Sequence, residues 1–104
     1  MPPARGEVWL FDCGTAGKVR PVVVLSVAYG GNDRALVTVV PHTTALRGSV
    51  YEVVVPAPFL KAGAFLAQGI ATYPVARALR KLGTLQEGGF TAVCAAVLRW
   101  LGQP

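Results

Sequence analysis

Between Glu7 and Thr72 the chain contains five apolar stretches, and none of the links joining them is long enough to hold a crossover helix. That spacing decides most of what the chain can become. Parallel neighbours need connections of a dozen or more residues, so these strands must pair antiparallel and a parallel α/β fold is excluded. The strands are expected over Glu7–Cys13, Val19–Val27, Ala35–Val40, Val50–Val55 and Ala64–Thr72. Val19–Val27 is almost continuously β-branched and apolar, as a buried strand should be, with Pro21 near its start where a missing donor is tolerated. Gly14–Lys18 and the Gly30-Gly31-Asn32-Asp33 run supply turns, and a polar loop runs from His42 to Ser49. Pro56 and Pro58 end the fourth strand, and Gly69 weakens the middle of the fifth.

Two helices are expected next. Pro74–Leu82 sets Val75, Leu79 and Leu82 on one face and Arg77, Arg80 and Lys81 around the other, with Gly83 placed to end it. Glu87–Leu101 carries Phe90, Val93, Cys94, Val97 and Leu101 at helical spacing. The sum is a mainly β chain, a small barrel or curled sheet with a terminal helix, in one domain over residues 1–104. No repeat or interdomain linker interrupts it.

Composition narrows the class of partner. Hydrophobic residues make up 53% and charged residues 14%, which excludes general disorder and leaves apolar surface to spare, a hint of a homodimer. The net charge of +5 favours a polyanion, with nucleic acid the first candidate. Cys13 and Cys94 are far apart and, with the single His42, supply too few ligands for zinc, so no cofactor is expected. Both cysteines read as small buried hydrophobes in a reducing compartment. Met1–Gly6 has no apolar signal core and no run approaches a membrane span, so a cytoplasmic protein without membrane contact is expected.

Four motifs, in order along nearly the whole chain, resemble one family. Arg5-Gly6-Glu7-Val8-Trp9-Leu10 is similar to the RGEVW opening of MazF/PemK toxins, and Val19-Arg20-Pro21-Val22-Val23-Val24-Leu25-Ser26 to their RRPVVVLS strand. Val39-Val40-Pro41-His42-Thr43-Thr44, followed by Leu46-Arg47-Gly48, resembles their VVPLTS segment. Lys81-Leu82-Gly83-Thr84-Leu85 resembles the KLGTL that is expected here to join the two helices. The resemblance implies an SH3-like β-barrel of MazF/PemK/CcdB type with a short helix and a C-terminal helix, assembled as a homodimer. It implies a toxin that cuts single-stranded RNA without a metal, leaving 2′,3′-cyclic phosphate and 5′-hydroxyl ends, and a cognate antitoxin that blocks the site.

Such chemistry needs the substrate's 2′-oxygen aligned on phosphorus, charge on the phosphate stabilised, and the leaving oxygen protonated. The family's active pair matches Arg20 and Thr43. A permanently charged guanidinium can grip two phosphate oxygens, and a threonine hydroxyl can donate without adding charge. His42 is an acid/base candidate by its ordinary pKa, although strand alternation would point it away from Thr43. Lys18, Thr44, Arg47 and Gln68 are candidate substrate contacts. Outside the family context, an Arg beside a strand-start Pro and a Thr after a strand are ordinarily surface and turn residues. Arg77, Arg80 and Lys81 read either as a backbone-binding patch or as the outer face of a helix, and Trp9 and Tyr51 either as base-stacking residues or as core.

The chain departs from the family at three places. Gly14–Lys18 is shorter than usual, the common QIRT reads Gly69-Ile70-Ala71-Thr72, and Pro74 replaces an acidic residue. These losses bear on base specificity and keep an alternative open: a catalytically weak or inactive module on the same fold that binds nucleic acid or, as CcdB toxins do, a protein. A third reading is a structural partner protein that serves assembly alone.

Overall fold

The β-branched run does what its composition demands. In the computed structural model, which describes residues 2–14 and 18–103, Val22, Val23 and Val24 are fully buried within one antiparallel sheet. The middle of the expected Gly14–Lys18 loop lies outside the described residues. Among those residues the chain forms seven strands: β1 (Glu7–Asp12), β2 (Val19–Val24), β3 (Leu36–Thr43), β4 (Glu52–Val53), β5 (Ala64–Leu66), β6 (Ala71–Pro74) and β7 (Ala78–Thr84). One α-helix, α1 (Glu87–Trp100), follows. The strand order is β4-β5-β3-β2-β1-β7, with β6 also paired to β3. This is the curled antiparallel sheet with a C-terminal helix that the spacing required.

Alternation along the strands sends side chains to two cores. Val8, Val23, Val40 and Phe65 form one with Val93, Ala96 and Val97 of α1. Phe11, Val22, Val24, Val37 and Val39 form the other, with Trp9 and Tyr73 packed against it. Arg5 lies over the ring of Phe90 at 4.7 Å, tying the N-terminal motif to α1.

The expected fifth strand is really two. Its first part, β5, sets Phe65 beside His42, whereas β6 sets Ala71 beside Val39. Had β5 kept the β6 register, His42 would face Gln68, so the two pairings are three residues out of step. A 3-10 turn over Ala67–Gly69 absorbs the excess, much as a bulge would. It packs hard on β3, because a Cβ at Gly69 would fall 2.8 Å from Pro41 Cγ.

The largest correction falls on Pro74–Leu82, expected as a helix. Only Val75–Arg77 makes a 3-10 turn, and Ala78–Thr84 is strand β7, antiparallel to β1. Gly83 is therefore mid-ladder rather than at a helix end, and the KLGTL motif joins no helices. Local propensity lost to a long-range pairing, since without β7 the backbone donors and acceptors on that side of β1 would be unpaired. Lesser differences concern length. β3 extends to Thr43, taking His42 and Thr43 out of the expected loop, and β2 stops at Val24. The fourth strand shrinks to Glu52–Val53, with Val50 and Val54 exposed at 72% and 62%.

The β1–β7 seam is clasped by Glu7, whose carboxylate accepts from Lys81 Nζ at 2.9 Å, Trp9 Nε1 at 3.0 Å and the Ala4 amide at 2.8 Å. Burial alone would raise its pKa, but those three hydrogen bonds and the Lys81 charge win and hold it at about 2, below the ordinary 4.5. A depressed folded-state pKa contributes stability above the unfolded value and loses it as pH falls from 4.5 toward 2. Glu7→Gln should accordingly cost about 1–2 kcal/mol in urea unfolding at pH 7, a difference that closes by about pH 2. Phe65, fully buried between β3 and α1, should cost about 3–5 kcal/mol when cut to alanine, read from the same unfolding curves at pH 7.

Candidate active site

Cross-strand pairing lays out a row of neighbours running over five strands. Arg80 of β7 pairs with Leu10 of β1, and Leu10 pairs with Pro21 of β2. The β2–β3 register, Val22 to Pro41, carried one residue further sets Pro21 beside His42, which itself pairs with Phe65 of β5. Carried two residues, the same register sets Arg20 across from Thr43. The first row continues the face begun by Val8, Val23 and Val40; the second lies one step on, at the lip where β2 begins and β3 ends. Phe59 and Lys61, from the segment after β4, join residues of both rows in lining a cleft of about 590 Å³. Its size suits a bound small molecule or a nucleotide-sized portion of a polymer.

The cleft is cationic by construction. Lys18, Arg20, Lys61 and Arg80 line it, and no Asp or Glu does. Four like charges around one concavity focus a positive potential into it, which draws anions. Thr43 Oγ1 accepts a hydrogen bond from the Ala45 amide at 3.1 Å, which fixes the side chain and leaves the hydroxyl proton free to donate. His42 is 5% exposed, and its ring meets Phe65 edge-on with centroids 5.0 Å apart. Burial pushes its pKa below the ordinary imidazole value, so it is neutral at pH 7.

The cleft thus unites Lys18, Arg20, His42, Thr43 and Thr44, five of the residues singled out in the sequence. Arg47 and Gln68 do not join them. They line an adjoining groove of about 270 Å³ that shares Thr43 and Ala45 with the cleft. There Glu52 accepts from the Arg47, Gly48 and Ser49 amides at 2.8–3.2 Å and so fixes the loop that carries Arg47. Those amides hold the Glu52 carboxyl below its usual pKa range. Ala71 is a sheet partner of Val39, and Gly69 abuts Pro41.

Phe59, Lys61 and Arg80 were not singled out as cleft residues. Arg80 was masked by the helical reading of its segment, and Lys61 is a lone charge in the apolar Pro58–Phe65 stretch, the one signal that it serves a site. Arg77 and Lys81 face elsewhere, beside Asp12 at 4.0 Å and on Glu7 respectively. Trp9 and Tyr51 are structural: Trp9 donates to Glu7, and Tyr51 meets Trp100 edge-on at 5.3 Å. Cys13 and Cys94 are half-buried free thiols, and burial pushes the Cys13 pKa up. Among the described residues no three His, Cys, Asp or Glu side chains gather to hold a metal ion, and no helix is long and apolar enough to cross a membrane.

A family model described as PemK-like, MazF-like toxin of type II toxin–antitoxin system matches residues 4–101. The probable endoribonuclease MazF5 of Mycobacterium tuberculosis is 38% identical over 100 residues, covering 91% of this chain and 89% of that protein. Among crystal structures, MazF from Deinococcus radiodurans (Form-I) superposes with a TM-score of 0.83 at 27% identity, covering 99% of both chains. A MazE–MazF structure from the same organism (Form-II) gives 0.82 at 25% identity, covering 100% of this chain and 99% of that one. The chain belongs to the PemK/MazF family of toxins from type II toxin–antitoxin systems.

Proposed function

We propose that this chain is the toxin of its pair and cuts single-stranded RNA at the cationic cleft, by attack of the substrate's own 2′-hydroxyl on the adjacent phosphorus. The observation that carries the reading is the convergence of Arg20 and Thr43 at one lip of a cleft with four cations and no carboxylate. The name of the Mycobacterium tuberculosis relative supports the same activity.

In that reaction the 2′-oxygen loses a proton and bonds to phosphorus while the 5′-oxygen departs with one, leaving a 2′,3′-cyclic phosphate. Negative charge grows on the phosphate oxygens, where Arg20 neutralises it from a fixed position and Thr43 donates. A guanidinium is a poor acid, so Arg20 stabilises charge and does not shuttle the proton. Lys18 and Thr44 bind the strand close to the cut. Arg47 and Gln68, in the adjoining groove, extend the contact along the backbone in one direction. His42 stands in the other row, on the floor, and we assign it to recognition instead of to the reacting phosphate.

The chain works in the cytoplasm as a homodimer, and an antitoxin silences it. The apolar side chains exposed at Leu98, Trp100 and Leu101 favour assembly over life as a monomer. The related MazE–MazF structure supports a protein partner for the toxin.

Purified protein should cut single-stranded RNA in EDTA, and Arg20→Ala should slow cutting about 100-fold or more while the fold by circular dichroism is unchanged. Thr43→Val should cost less, about tenfold, because one neutral donor is lost. A folded Arg20→Ala protein that cuts at the wild-type rate would sink the assignment. Binding should also weaken with salt, with a log–log slope of about −2 to −3 if most of the four cleft cations meet phosphates; salt-independent binding would remove the electrostatic basis.

A further inference from the structure

The floor of the cleft holds a group that the phosphate chemistry leaves unused. His42 makes no side-chain hydrogen bond among the described residues, yet no fully buried side-chain nitrogen or oxygen among them lacks a partner. A ring nitrogen is therefore open to the cleft that His42 lines, while Cε1, between the two nitrogens, lies against Gly63, where an added Cβ would fall 2.7 Å from it. Phe59 lines the same cleft, and its position depends on bare backbone beneath it. A Cβ at Gly83 would fall 2.4 Å from Phe59 Cε2. Leu10 and Leu82 complete the apolar walls, and Lys61 and Arg80 add charge at the rim.

Apolar walls, one neutral polar edge at depth and cations above suit a flat ring with a hydrogen-bonding edge, carried on a phosphate chain. A bare phosphate would gain nothing from the walls, and an acidic peptide would leave the imidazole without a matched partner. We infer that the cleft is a base-reading pocket, in which one nucleobase of single-stranded RNA packs against Phe59 and hydrogen-bonds through its edge to His42, while Lys61 and Arg80 hold the flanking phosphates. The inference rests on the RNA reading above.

The two nitrogens of an imidazole diverge, so a base edge meets only one of them, and only a base that offers the complementary donor or acceptor satisfies it. The wrong base leaves a nitrogen at the bottom of the pocket unpaired, and such mismatches discriminate strongly. In this chain the side chains that the resemblance leads one to expect at positions 69 and 71 are a bare backbone and a methyl. Recognition passes instead to His42, where the resemblance leads one to expect an apolar residue.

The test uses four short 2′-O-methyl oligoribonucleotides that differ in one central base and cannot undergo the attack. Their dissociation constants are measured by fluorescence anisotropy for the wild-type protein and for His42→Leu, Phe59→Ala and Lys61→Ala. The wild type should prefer one base by about tenfold or more. His42→Leu should bring all four within about threefold, Phe59→Ala should weaken the preferred one most, and Lys61→Ala should weaken all four alike. Absence of any preference in the wild type, or a preference that survives both His42→Leu and Phe59→Ala, would overturn the inference. Should His42→Leu fail to fold, Phe59→Leu, which keeps an apolar contact with the core and removes the flat ring, decides instead: loss of the base preference supports the inference and an unchanged preference overturns it. A protein that discriminates among these oligonucleotides yet never cuts natural RNA would refute the proposed activity and leave the base pocket standing. One that cuts RNA with no base preference would do the reverse.

Discussion

The register of β3 is the constraint on which the whole site depends. One edge of this strand pairs with β2 and the other with β6 and then β5, so its position is fixed from both sides. That register carries two rows to the same end of the sheet, His42 with Leu10 and Pro21, and Thr43 with Arg20. A slip of one residue would turn Val40 and His42 onto the opposite face and dismantle both the core and the cleft together. Stability and site are thus specified by the same hydrogen bonds. The 3-10 turn at Ala67–Gly69 belongs to this arrangement, because it lets β5 and β6 share one edge while out of step.

Concentrating four cations in one concavity has a cost, since like charges repel and no carboxylate in the cleft offsets them. The rest of the chain compensates by burial. Fourteen buried hydrophobic residues form the two cores, and the acidic groups are used elsewhere, Glu7 on the β1–β7 seam and Glu52 on the Arg47 loop. Exposure of the cationic side chains to water limits the penalty further. What remains is an attractive potential without a bound counter-charge, released when a polyanion enters. His42 fits the same logic from the opposite direction, because a neutral ring at the floor adds no further repulsion.

Much of this was legible from the sequence. The Val22–Val24 run could only be a central strand, the short links could only give antiparallel pairing, and Val93, Cys94 and Val97 marked the final helix. Arg20 and Thr43 were found through their motifs, and the structure brings both to one cleft. The segment Ala78–Thr84 was misread because Ala, Leu, Arg and Lys are good helix formers and Val75, Leu79 and Leu82 fit a helical face. Its strand state is decided by pairing with β1, some seventy residues distant, and no local pattern records that. The same error grouped Arg80 with Arg77 and Lys81, although only Arg80 reaches the cleft. Lys61 and Phe59 were hidden for another reason, since they come from an irregular segment whose place is set by the bare backbone of Gly83 and not by any periodicity.

The central claim is that Arg20 and Thr43 hold a phosphate for attack by the neighbouring 2′-hydroxyl. It is tested most directly by removing that hydroxyl. An RNA oligonucleotide that the protein cuts at one bond is remade with a single 2′-deoxy nucleotide on the 5′ side of that bond, and rate and affinity are compared. Cutting at that bond should disappear while binding changes little. Undiminished cutting of the deoxy substrate would contradict the account, because the nucleophile would then have to come from elsewhere.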